Sequence, residues 1–250
     1  MRVFVTGVSS GIGRELAIKL LEAGHEVWAI ARRTPVLDEL PDELLCRSFR
    51  FDECDISDSA AMEKAHAKMV SQGFLPDVVI LNAAVDLDDE FPGLDYSQGC
   101  QMMRTNVDGA YFWITKFIDA FVARGSGQFI AVSSLFAHWP DSASVSYASS
   151  KAALTMIMRG LRLRYSTSNL QFKVLYLGPV DTPINPRFTP SEKPPSPIVA
   201  SANKTAGYIV NMMSRNHNNF YFPLYIFAVF TFLRWLPDSW FELLTKRFKR

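Results

Sequence analysis

Five short apolar runs punctuate the chain, at residues 3–5, 27–30, 78–81, 129–132 and 174–177. Each is rich in Val and Ile and bounded by turn residues or charges, the pattern of strands buried on both faces of a parallel sheet. Between them lie stretches of helical length, over 12–23, 59–71, 97–123 and 147–166. Strands that alternate with helices predict βαβ units with right-handed crossovers, hence an α/β chain with a doubly wound parallel sheet. Gly24 and Gly125 stand where helix C-caps fall, just before the next strand. No repeat and no linker divides the sequence, so one domain is expected over 1–250. The stretch 182–197 carries six prolines and is excluded from helix and central strand. Inside a compact domain it reads as a binding loop.

Composition narrows the class. Of 250 residues, 48% are hydrophobic and 20% charged, which excludes a disordered or coiled-coil chain. The formal net charge is +1, without the basic excess of a nucleic-acid binder. Cys46, Cys54 and Cys100 have neither disulfide parity nor metal-ligand spacing, so no metal site is expected and a reduced, cytoplasmic setting fits them. The opening residues show no secretory signal pattern.

The first apolar run leads into Thr6-Gly7-Val8-Ser9-Ser10-Gly11-Ile12-Gly13 and then a helix. Glycines at a strand-to-helix turn let the backbone approach a pyrophosphate seated on the amides of the helix N-terminus. The competing reading is a glycine turn without ligand; the order strand, turn, helix weighs against it. At the end of the second run, where a carboxylate would hold a ribose 2′-hydroxyl, the chain has Arg32 and Arg33. A guanidinium grips a 2′-phosphate that a carboxylate would repel, so NADP(H) is expected over NAD(H). The alternative is a solvated basic loop.

Tyr147 and Lys151 stand one helical turn apart on one face. A cation 4–5 Å from a phenol, at an effective dielectric near 20, favours the phenolate by about 3–4 kcal/mol. Such a phenol can donate a proton to a carbonyl oxygen as hydride reaches the carbon.

With these residues in hand the sequence resembles the short-chain dehydrogenase/reductase family, in its single-domain type, over about residues 1–222. Thr6 to Gly13 matches the family's cofactor turn, and Tyr147 with Lys151 matches its Tyr-x-x-x-Lys pair. The resemblance implies a Rossmann-like fold, likewise over a single domain. It implies that Ser134, thirteen residues before Tyr147, hydrogen-bonds the substrate carbonyl, with Ser133 as the less well spaced alternative. It implies that Asn106 positions a water in a proton relay through Lys151, which also holds the nicotinamide ribose. Asp55 and Ile56 match the segment beside the adenine, and Pro179, Val180 and Thr182 the segment closing over the nicotinamide carboxamide. The family's Asn-Asn-Ala-Gly strand end reads Leu81-Asn82-Ala83-Ala84 here, so the methyl of Ala84 is expected to crowd the cofactor. The bulk of Leu135, Phe136, His138 and Trp139 predicts an apolar, aromatic wall to the substrate site. His138 itself receives no chemistry.

The resulting expectation is an NADPH-dependent reductase of an apolar or lipid-like ketone or aldehyde. Its alternative is a non-catalytic NADP-binding or membrane-associated adaptor that keeps the fold. Residues 219–250 hold 11 of the chain's aromatic rings, with the last strand expected over 220–224 and a helical, basic extension after it. Three readings of that extension stand open: a homodimer or homotetramer interface, a lid over a greasy substrate, or an amphipathic contact with an anionic membrane surface.

Overall fold

In the computed structural model, which describes residues 1–38, 40–87, 93–140, 144–184, 199–225 and 228, the apolar runs form the middle of a parallel sheet. The strands are β1 (Arg2–Thr6), β2 (Glu26–Ala31), β3 (Phe49–Glu53), β4 (Val78–Leu81), β5 (Gly127–Ser134), β6 (Leu170–Leu177), β7 (Val180–Asp181), β8 (Ala200–Ser201) and β9 (Asn219–Phe222). Seven of them, in the order β3-β2-β1-β4-β5-β6-β9, make one sheet in which every pairing is parallel. β7 and β8 pair separately at the C-terminal side of β6. The helices are α1 (Gly11–Glu22), α2 (Asp42–Ser48), α3 (Ser59–Ser71), α4 (Tyr96–Met103), α5 (Gly109–Arg124), α6 (Val145–Arg164) and α7 (Ala202–Met213).

Period-two alternation along each strand sends side chains to two cores, one on each face. Val3, Val5, Val27, Ile80 and Leu175 meet Leu16, Leu20 and Ile209 of α1 and α7. On the other face Phe4, Val79 and Phe129 meet Met62 of α3, Trp113 and Phe117 of α5, and Leu154 and Met158 of α6. This is a Rossmann-like, doubly wound single domain.

β3, α2 and α7 lie outside the elements expected from the pattern. β3 alternates apolar with charged residues because it is an edge strand, and its charges find lateral partners. Trp28 Nε1 donates to Asp52 at 2.8 Å, Lys68 also pairs with Asp52, and Arg50 pairs with Glu26. The helix expected over 97–123 is one helical path interrupted by a π turn at Arg104–Asp108. Gly125 ends α5 in the left-handed region (φ 72°), and Gly24 has φ 76° just after the Ala23 cap of α1. The last strand ends at Phe222, two residues earlier than expected. The extension beyond it, apart from 223–225 and 228, and most of the proline-rich stretch lie outside the described residues. Among the described residues no helix is long and apolar enough to cross a membrane.

Candidate active site

The sheet reverses direction of winding between β1 and β4, and the turn after β1 opens into the crevice at that switch point. Gly7 has φ +78°, and a Cβ there would stand 2.7 Å from Ala83 Cα. A Cβ on Gly13 would stand 1.9 Å from the Gly7 carbonyl oxygen, so α1 starts where it does only because that atom is missing. The two strand ends are laced together. Thr6 Oγ1 accepts from the backbone N–H of Asn82 (3.1 Å) and Ala83 (3.0 Å), and Asn82 Nδ2 donates to the carbonyls of Thr6 and Gly7, both at 3.0 Å. Asn82 is therefore bound into the turn itself. Ala84 itself holds ordinary backbone geometry, since no described non-glycine residue has a positive φ.

Ser9, Ser10, Gly11 and Ile12 are all half-buried at this turn. Ser10 is the N-cap of α1 but makes no side-chain capping bond, and the first turn holds no acidic residue. The first amides of α1 are thus left for an external anion, the fit a pyrophosphate requires. Across the crevice, Thr182 is buried and approaches Gly11, whose Cβ would lie 3.2 Å from it. Pro179 and Val180 lead into that contact, and Pro179 O accepts from Ala200 N at 3.0 Å. Gly7 N donates to Ile30 O at 2.7 Å, which sets the end of β2 beside the turn. Arg32 and Arg33 follow at once, and both are exposed. Asp55 has one oxygen engaged locally, accepting from Ser57 N and Ser57 Oγ at 2.8 Å each, while Ile56 is buried.

The catalytic candidates gather around the start of α6 and the end of β5. Lys151 is 3% exposed, and its Nζ donates to Val132 O at 3.0 Å. The same Nζ lies 5.6 Å from the centre of the Tyr147 ring. Burial pulls the Lys151 pKa down to about 8, against the opposing pull of the Asp86 carboxylate, which leaves the amine mainly protonated at neutral pH. Ser134 closes β5, and its Oγ accepts from Phe136 N at 3.2 Å. Ser133 points the other way, into α6, with its Oγ 2.9 Å from Thr155 Oγ1 and donating to Lys151 O at 3.2 Å. The two serines, adjacent in sequence, are thus separated by strand alternation into one bonded to the helix and one at the crevice.

Asn106 occupies the π turn and is fully buried. Its Oδ1 accepts from Val85 N at 2.8 Å, and its Nδ2 donates to Val85 O and Ser150 Oγ, both at 2.9 Å. Both amide protons are spent on protein groups, so any water held here meets a lone pair or the backbone rather than the amide N–H. The aromatic wall expected from residues 135–139 is partly taken into the core, because Leu135 and Trp139 are buried. Phe136, Ala137 and His138 remain half-buried, with the His138 ring 4.4 Å from that of Tyr176. Asp86 and Ser144 carry no motif and went unnoticed in the sequence, yet they meet at the start of α6, where Ser144 Oγ donates to Asp86 Oδ1 at 2.6 Å.

Comparison with known proteins yields concordant matches. The family model described as short chain dehydrogenase matches residues 1–193. A protein of Myxococcus xanthus (strain DK1622), described as an uncharacterized oxidoreductase, is 27% identical over 248 residues, which is 98% of this chain and 96% of that protein. Among solved structures, the closed form of serine dehydrogenase complexed with NADP+ superposes with a TM-score of 0.78 at 21% identity, covering 88% of this chain and 94% of that one. A 4-hydroxyisoleucine dehydrogenase mutant complexed with NADH and succinate gives 0.79 at 14% identity, covering 88% and 96%. At these identities the structural likeness is one of fold.

Proposed function

The chain belongs to the short chain dehydrogenase family, oxidoreductases that use nicotinamide cofactors, and from that premise we propose that it is an NADPH-dependent reductase of an apolar ketone or aldehyde. Bound in the crevice, a reduced nicotinamide cofactor would supply the hydride for the carbonyl carbon. The chain's own residues do the rest. The glycine turn and the uncapped amides of α1 would hold the pyrophosphate, with Thr182 on the opposite side. Arg32 and Arg33, both exposed, would hold the 2′-phosphate as guanidinium donors. Ser134 donates to the substrate oxygen, and Tyr147 gives that oxygen its proton as the alcohol forms. Lys151 favours the ionised phenol and so lowers the barrier to proton loss. Asn106 braces the loop after β4, and Phe136 with His138 gives the substrate an aromatic border.

The observation that carries this reading is the buried Lys151 ammonium, whose Nζ donates to the Val132 carbonyl and lies 5.6 Å from the centre of the Tyr147 ring. A buried cation is costly unless paired or hydrogen-bonded, and one set against a phenol in a cleft marks a candidate functional site. Support for the phosphate-bearing cofactor comes from the two arginines and the absence of any carboxylate between Ala31 and Thr34.

The test follows absorbance loss of NADPH with a panel of hydrophobic ketones and aldehydes. The wild-type chain is expected to turn over at least one of them, and Tyr147→Phe to lose about 100-fold or more in kcat while binding NADPH normally. Cofactor binding without turnover across the panel would establish instead the non-catalytic NADP-binding reading. Equal rates for Tyr147→Phe and wild type would remove Tyr147 from the mechanism.

A further inference from the structure

One carboxylate at the start of the helix that carries Tyr147 and Lys151 has no part in the mechanism above. Asp86 is half-buried on the loop that follows β4. Its position is fixed from two sides. The preceding residue, Val85, exchanges two hydrogen bonds with Asn106 of the π turn. The carboxylate itself accepts from Ser144 Oγ at 2.6 Å. Ser144 is 1% exposed and stands at the N-cap of α6, where a serine hydroxyl ordinarily accepts from an amide of the first turn. It makes no such bond here. Its hydroxyl is spent on Asp86, which places a carboxylate at the start of the helix that carries Tyr147 and Lys151.

That location is favourable for an anion, because unpaired amides and the helix dipole give the N-terminal turn a positive potential. The groups set against Lys151 come from its own helix, β5, the π turn and the loop after β4. Tyr147 lies on its own helix, β5 offers the Val132 carbonyl, the π turn offers the neutral Asn106 through Ser150, and the loop after β4 offers Asp86. Of these, Asp86 is the carboxylate. Burial favours the neutral amine, and Asp86 opposes it.

We propose that Asp86 is a positioning residue for the Tyr147–Lys151 pair, its carboxylate anchored by Ser144 so as to hold a negative charge at the start of the helix that carries both, and that start of α6 in place. The inference rests on the reductase reading for its purpose, but its physical content is independent of any substrate.

The experiment uses the full chain labelled with carbon-13 at lysine Cε, with the Lys151 resonance assigned by its loss in Lys151→Arg. Asp86→Asn keeps an acceptor for Ser144 and removes the charge; Ser144→Ala keeps the charge and removes the anchor. In Asp86→Asn the Lys151 titration midpoint is expected to fall by roughly one pH unit, and in Ser144→Ala by less. With whichever carbonyl compound the panel identifies, the alkaline limb of kcat/KM for Asp86→Asn moves down by the same amount, while the melting temperature and NADPH affinity stay close to wild type. Midpoints unchanged in both variants overturn the proposal, as does a loss of activity at all pH values without a shift. If the panel shows no turnover, the reductase reading fails while the lysine midpoint still decides the role of Asp86.

Discussion

Asn106 and Val85 exchange two hydrogen bonds, Oδ1 accepting from Val85 N at 2.8 Å and Nδ2 donating to Val85 O at 2.9 Å. The side chain thereby serves the irregular loop after β4 as a neighbouring strand would. The second amide proton goes to Ser150 Oγ, which in turn donates to Tyr147 O at 2.7 Å. Asn106→Ala removes a fully buried side chain and leaves the half-buried Val85 groups unpaired, and is expected to lower the unfolding free energy by about 2–4 kcal/mol, measured by urea denaturation. A change under about 0.5 kcal/mol would show that water replaces the clamp.

The serines at the end of β5 should separate stability from chemistry. Ser133→Ala removes the bonds to Thr155 and Lys151 O and is expected to cost about 1–2 kcal/mol with kcat/KM nearly unchanged. Ser134→Ala is expected to leave the melting temperature in place and reduce kcat about 100-fold. Thermal unfolding and steady-state rates on the two variants decide the matter, and a reversed pattern would hand the substrate contact to Ser133.

Arg32 is exposed just beyond β2, so replacing it should leave folding unaffected. Arg32→Asp removes a donor fork and adds a charge that repels a 2′-phosphate. The ratio of kcat/KM for NADPH to that for NADH is expected to fall by roughly 10- to 100-fold. An unchanged ratio would assign the arginine to solvent.

Lys173 is 1% exposed in the middle of β6, and its Nζ donates to the carbonyls of Met212 (2.9 Å), Met213 (3.1 Å) and Arg215 (2.6 Å). Three donors meet three acceptors at the C-terminal end of α7, where the helix dipole favours a cation. Lys173→Met is expected to cost about 2–4 kcal/mol at pH 7 by leaving those carbonyls unpaired. Burial holds the Lys173 pKa at about 8, below its ordinary 10.5, so between those values the unfolded chain binds more protons than the folded one. The stability lost through this shift is fully present as a penalty below pH 8 and relieved as pH rises towards 10.5. Unfolding free energies across that window should therefore rise for wild type relative to Lys173→Met. Parallel curves would contradict the depressed pKa.

What could be read along the chain was whatever depends on near neighbours. The central strands declared themselves because a strand covered on both faces must be apolar throughout. β3 did not, because an edge strand keeps Arg50 and Asp52 for partners that arrive from β2 and α3. The π turn at Arg104–Asp108 left no periodic trace distinct from an ordinary helix. The residues 135–139 looked like a single apolar wall, and packing against α6 and β6 sent Leu135 and Trp139 inward instead.

The sequence by itself determined the alternation of strands and helices, the glycine turn, and the placing of Tyr147 and Lys151 on one helical face, since each is a relation within a few residues. Only the tertiary structure decided that Lys151 is desolvated beneath Val132, that Ser133 rather than Ser134 is bonded to α6, and that Asp86 meets Ser144. Those residues are far apart along the chain, and the charge on an amine depends on the dielectric and the carboxylates that folding brings around it, which no local pattern encodes.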